Sequence, residues 1–166
     1  SILQKNMVIQ SSTTRPHWNY FLSLERELDV LSRFVEFDEK NFSCFSVEIA
    51  RILLAAGAES DVVCKQLCHA VVPGAAANSI NNYKKIISAS IPKIPTFEVL
   101  LPRFGLTLHP WDELRLPNSK VPVWWAAYNK IKHHRDSQYS QANLKNALNA
   151  VAGLFVVTLY HYKAEA

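Results

Sequence analysis

Residues 138–162 read QYSQANLKNALNAVAGLFVVTLYHY, and this stretch decides the fold. Ala142, Leu144, Ala147, Leu148, Val151, Phe155, Leu159 and Tyr162 recur at helical intervals, and toward its end the segment is apolar on all sides. A helix of that kind is stable only when other elements cover it, so it is expected at the centre of a bundle. The apolar run 150–160 is 11 residues long with Thr158 inside it. A membrane span needs about 20, so this is read as a core helix.

Upstream segments supply the cover. Phe21, Leu24, Leu28, Leu31 and Val35 predict an amphipathic helix over 16–37. Phe45, Ile49, Ile52, Leu53, Ala56, Val63 and Leu67 predict a second, from residue 41 or 43 to 70, with Gly57 as a place to bend or interrupt it. Pro73 and Gly74 close that helix, and a shorter one follows over 79–90 before Pro92. Pro122 suits the first turn of a helix over 124–134. Between these lie Pro95, Pro102, Pro110 and Pro117 with two alternating apolar runs, 97–101 and 104–108, which read as a small hairpin or an extended excursion. The fold class is therefore mainly α: a bundle of about five helices with room for a small β-hairpin or extended insertion around 96–109. A single domain over 15–166 follows a flexible N-terminus, 1–14.

With 49% hydrophobic and 19% charged residues, the 166-residue chain can fill a core without staples. Cys44, Cys64 and Cys68 are an odd number in a chain of this size, which points to a reducing compartment and to the cytoplasm. Residues 1–14 lack the apolar stretch and cleavage site of a secretory signal. Cys64 and Cys68, four apart, share a helix face and could meet a metal with His69, but structural zinc wants four ligands, so ordinary buried thiols are the reading and no metal or cofactor is expected. No phosphate-binding loop, dinucleotide fingerprint, nucleophile elbow or zinc-protease helix appears.

A net charge of +4 does not by itself announce nucleic acid, but its placement is uneven. Residues 18–61 are acidic. Residues 114–145 hold Arg115, Lys120, Lys130, Lys132, Arg135 and Lys145 against the single acid Asp136, with His133 and His134 besides. The densest chemistry is the word WWAAYNKIKHHR at 124–135. On a helix Asn129 and His133 share a face, while Tyr128, Lys132 and Arg135 form an adjoining row, so five polar side chains are expected to converge on one groove. An imidazole that titrates near neutrality moves protons, and Lys132 and Arg135 suit a phosphate whose charge rises in the transition state. Tyr128 and Asn129 would position it. Lys130, His134, Trp124 and Trp125 are candidate RNA contacts. With RNA, the 2′-hydroxyl is its own nucleophile, so no metal is required. The competing reading makes Trp124, Trp125, Tyr128 and Ile131 core and the cations a solvated face. Glu48 and Glu59 are candidates to orient His133 if the second and fourth helices pack together.

The helical plan and the word Tyr-Asn-Lys-Ile-Lys-His at 128–133 together resemble the HEPN superfamily of small helical-bundle domains, found in bacterial toxin, phage-defence and RNA-processing systems. Its active members carry an arginine followed a few residues later by a histidine, commonly beginning Arg-Asn, and many dimerise so that two motifs form one metal-independent ribonuclease site. The resemblance places Asn129 on the family's polar residue and His133 on its histidine. Tyr128 stands where the arginine should be. Arg135 could then supply the guanidinium from the next turn, or the chain is a catalytically silent member. What the resemblance implies is RNA binding or cleavage as a homodimer, in a toxin–antitoxin or phage-defence setting. The alternative is an interaction or dimerisation module with a protein partner, in which the tryptophans are anchors; a small-ligand pocket between the hairpin-like stretch and the last helix is a third reading.

Overall fold

A computed structural model describes residues 14–166. The expectation of a flexible N-terminus falls on residues outside this range, except for Thr14. Five α-helices and a two-stranded sheet follow in chain order: α1 (Pro16–Leu31), α2 (Val47–Val71), α3 (Ile80–Ser90), β1 (Val99–Leu101), β2 (Leu106–Leu108), α4 (Val123–Gln138) and α5 (Leu144–Glu165). No helix among the described residues is long and apolar enough to cross a membrane.

The core is built on α2 and α5, the two longest helices, which pack on each other more extensively than any other pair. α5 is buried at nearly every position from Ala147 to Val157, as its all-round apolar pattern requires. Both helices start from side-chain caps: Ser46 accepts from the Ile49 N–H and Asn143 from the Asn146 N–H, each satisfying a first-turn donor that has no helical partner. The two starts are strapped together, because the Leu144 N–H donates to the Cys44 carbonyl and the Lys145 N–H to the Phe42 carbonyl. That strap, a tertiary contact, is why α2 begins at Val47 rather than at 41 or 43.

α1 ends at Leu31, short of 37. The Ser32 hydroxyl donates to the Asp29 carbonyl at 2.6 Å and competes with the helix ladder, and the chain then turns so that Phe37 stacks on Phe104 at 4.7 Å. The proline-rich stretch does form a hairpin, with Val99 opposite Leu108 and Leu101 opposite Leu106. Its connection needs Gly105 at φ +63°, a conformation that costs other residues strain.

Gly57 does not interrupt α2, which runs unbroken from Val47 to Val71. A Cβ there would stand 2.4 Å from Cγ and Cδ2 of the Tyr128 ring, so its absence lets α4 approach. Gly153 does the same on α5, where a Cβ would stand 2.6 Å from Trp124 Cζ2. The Trp124 indole N–H donates to the Pro110 carbonyl at 2.7 Å, and the Trp111 N–H to the Gly153 carbonyl at 3.1 Å, so both buried rings keep their hydrogen bonds. α4 is thus keyed to the bundle by two aromatic rings lying on two glycines.

Candidate functional site

α4 carries the residues expected to hold the chemistry, and its two halves differ. Trp124, Trp125 and Tyr128 are 2%, 3% and 4% exposed, and Ile131 is buried with them. Their burial corrects two expectations. The tryptophans present no face on which a nucleic-acid base could stack, and Tyr128 does not join a polar row, because its ring is the wedge that fills Gly57. Asn129 is half-buried, while Lys130, Lys132, His133, His134 and Arg135 are all exposed.

The helix does not run straight through this exposed half. His134 has φ −139° and ψ 47°, a break in the helical path. Beyond it, helical spacing no longer fixes where a side chain goes, so Arg135 does not extend the row of Lys132. Its guanidinium lies 5.7 Å from the centre of the Tyr139 ring instead, while Lys132 Nζ lies 5.7 Å from that of Tyr128. The rings of His133 and His134 are 6.4 Å apart, centre to centre. Two imidazoles at that separation can serve a single phosphodiester, one accepting a proton and the other giving one.

An aromatic edge flanks the cations. Phe45, 47% exposed, packs edge-on to Tyr139 with centroids 5.3 Å apart, and Tyr139 in turn receives Arg135. Nothing in the pattern before α2 marks Phe45 as a surface residue; it sits at the helical spacing of core positions. Only the Phe45–Asn143 bridge brings it beside the end of α4.

Neither carboxylate nominated to orient His133 does so. Glu48 pairs with Arg51 at 2.8 Å on the exposed face of α2. Glu59 stands 2.5 Å from His17 Nδ1, in a cluster that sequence spacing did not reveal because its members lie on three helices. There His17 Nε2 faces Gln66 Oε1 at 2.9 Å, and the His17 backbone N–H donates to the Tyr162 hydroxyl, capping the start of α1. The His161 ring meets His17 edge-on at 5.4 Å and is 3% exposed. Burial lowers its pKa below the ordinary 6.5, with His17 adding to the shift and Glu165, 3.2 Å from Nε2, opposing it. Both ring nitrogens of His17 already face acceptors, so this cluster ties α1, α2 and α5 together and offers no open base.

Cys64 and Cys68 are fully buried while His69 is exposed, so the three do not meet. Burial raises the Cys64 thiol well above its usual value and the Cys68 thiol to about 11, which keeps both protonated and unreactive. All three cysteines are free. Arg103 and His109, which repeat an arginine-to-histidine spacing, are engaged separately, with Asp29 and Glu98.

In class the molecule is a helical bundle with an appended hairpin and a basic, twin-histidine helix end. Compared with protein-family models, curated proteins and solved structures, the chain matches none.

Proposed function

We propose that this domain binds RNA through the distal half of α4, as a HEPN-like homodimer in a cytoplasmic toxin–antitoxin or phage-defence system. The observation that carries the reading is the exposed cluster itself. Lys130, Lys132, His133, His134 and Arg135 face solvent within six consecutive positions, and among the described residues none of the three cations is held in an ion pair. Unneutralised cations at one end of a helix attract phosphates and gain from counterion release. Phe45 and Tyr139 beside Arg135 add a stacking surface that an unpaired base can use and a duplex cannot, which favours single-stranded RNA.

Cleavage is the stronger form of the same reading. The 2′-hydroxyl attacks the adjacent phosphorus while one imidazole, His133, takes its proton. The 5′-oxygen leaves as His134, or His133 of a second copy, supplies a proton, and Lys132 and Arg135 stand by the phosphoryl oxygens. A silent, interaction-only reading is favoured by one observation: the place of the family's arginine is filled by a tyrosine packed on Gly57.

Incubation with a single-stranded RNA in a chelator separates these readings. Cleavage that falls about 100-fold or more in His133→Ala, with the circular dichroism unchanged, supports catalysis. Binding without cleavage, lost when Lys130, Lys132 and Arg135 are reversed to glutamate, supports the silent RNA-binding form. Binding that survives this triple reversal refutes the site.

A further inference from the structure

A cavity of about 560 Å³ opens between α1, the β1–β2 hairpin and α5. Phe21, Phe104, Leu108, Leu148, Val151 and Phe155 form its walls. It is open to solvent on one side, and pockets that take small ligands run from roughly 300 to 1,000 Å³. No residue of α4 lines it, so it is separate from the basic helix end.

Its charged groups stand only at the mouth: Glu25, Arg26 and Asp29 on α1 and Arg103 on the hairpin, all exposed. Two acids and two arginines cancel, and Arg103 already pairs with Asp29 across the rim. The deep walls hold neither a charged side chain nor a polar one. A ligand that carried charge inward would leave it unpaired in an apolar surrounding, at a cost of several kcal/mol. A mouth of zero net formal charge does not concentrate ions of either sign.

We propose that this cavity binds an uncharged, largely apolar small molecule with an aromatic or acyl body, seated between the hairpin and the two helices. Two strands of three residues are not stable alone in water; packing on the bundle holds them in place, through buried Leu108, Phe104 on Phe37, and Val99, Leu101 and Leu106 against the core.

The test uses the whole chain and the uncharged fluorescent probe N-phenylnaphthylamine, with the anionic probe anilinonaphthalene sulfonate beside it. Saturable binding of one neutral probe per chain is expected, with a rise in Tm and weaker binding of the anion. Two substitutions fill the cavity from opposite walls, Ala152→Leu on α5 and Val99→Phe on the hairpin, and each should weaken the neutral probe at least tenfold while the helical circular dichroism persists. Should Ala152→Leu fail to fold, Val99→Phe decides alone, since it leaves the bundle helices untouched. Binding that does not saturate, or that survives in every filling variant that folds, overturns the site. Tighter binding of the anion, abolished by Arg26→Glu, overturns the assignment of an uncharged ligand.

Discussion

The first and second halves of α4 are built from the same helix and face opposite environments. The first half is aromatic and buried, with Tyr128 on Gly57 of α2 and Trp124 against Gly153 of α5. The second half is cationic and exposed, and it breaks at His134. The division teaches that a dense chemical word in a sequence need not be one site: of the two readings open for 124–135, packing takes the one with Trp124, Trp125, Tyr128 and Ile131 in the core and leaves the cations to solvent.

Substitutions in the two halves should therefore act on different observables. The largest effect is expected from Trp124→Ala, which removes a buried ring and its hydrogen bond to Pro110 and should destabilise the fold by about 3–5 kcal/mol in denaturant unfolding. Gly57→Ala should follow, at roughly 1–3 kcal/mol, because the added methyl collides with the Tyr128 ring and either the ring or α4 must shift. A negligible loss for either would break the account of α4 as a keyed helix.

In the exposed half, reversing Lys130, Lys132 and Arg135 to glutamate should leave the unfolding midpoint nearly unchanged, each substitution lying within about 0.5 kcal/mol of neutral. RNA affinity should fall by an order of magnitude or more, and the slope of log affinity against log salt should drop by about 2, as expected for three lost phosphate contacts on a single strand. A loss of stability as large as that of Trp124→Ala would erase the distinction between the halves.

Acid sensitivity is expected at the cluster around the start of α1. His161 resists protonation in the folded state because it is buried, while the unfolded chain takes the proton near the ordinary value of 6.5. The unfolded state thus binds more protons, so stability is lost as pH falls below about 6.5 and is unaffected by this group above it. Thermal unfolding between pH 7.5 and 5 should show that loss. His161→Leu should reduce it, since leucine takes up no proton; the substitution gives up the Nε2 contact with Glu165 but no hydrogen bond at Nδ1. A smaller check concerns thiols: a disulfide reagent should label half-buried Cys44 first, with Cys64 and Cys68 reacting only on unfolding.

Much of the fold was legible because helix periodicity is a local property. The stripes of α1, α2, α3 and α5 and the breaks around Pro73 and Pro122 follow from neighbouring residues alone, while the alternating runs around Gly105 left a hairpin and an extended excursion both open. Element ends were less legible, since the Cys44–Leu144 strap and the Phe37–Phe104 contact join residues far apart in the chain. Gly57 shows the same limit. As a residue in a helix it reads as a weakness, and only its distant partner reveals that it is a seat for a ring.

By itself, the sequence determined the class of fold, the central place of α5 and the concentration of cations after residue 129, because amphipathic spacing and charge are written in consecutive residues. Tertiary structure alone chose between the two readings of 124–135 and decided that Phe45 and Arg135 both meet Tyr139, that His17, Glu59 and His161 meet, and how the pocket beside the hairpin is walled. Each of these depends on how separate helices are seated on one another, and that seating is set by close packing across the core rather than by any residue's immediate neighbours.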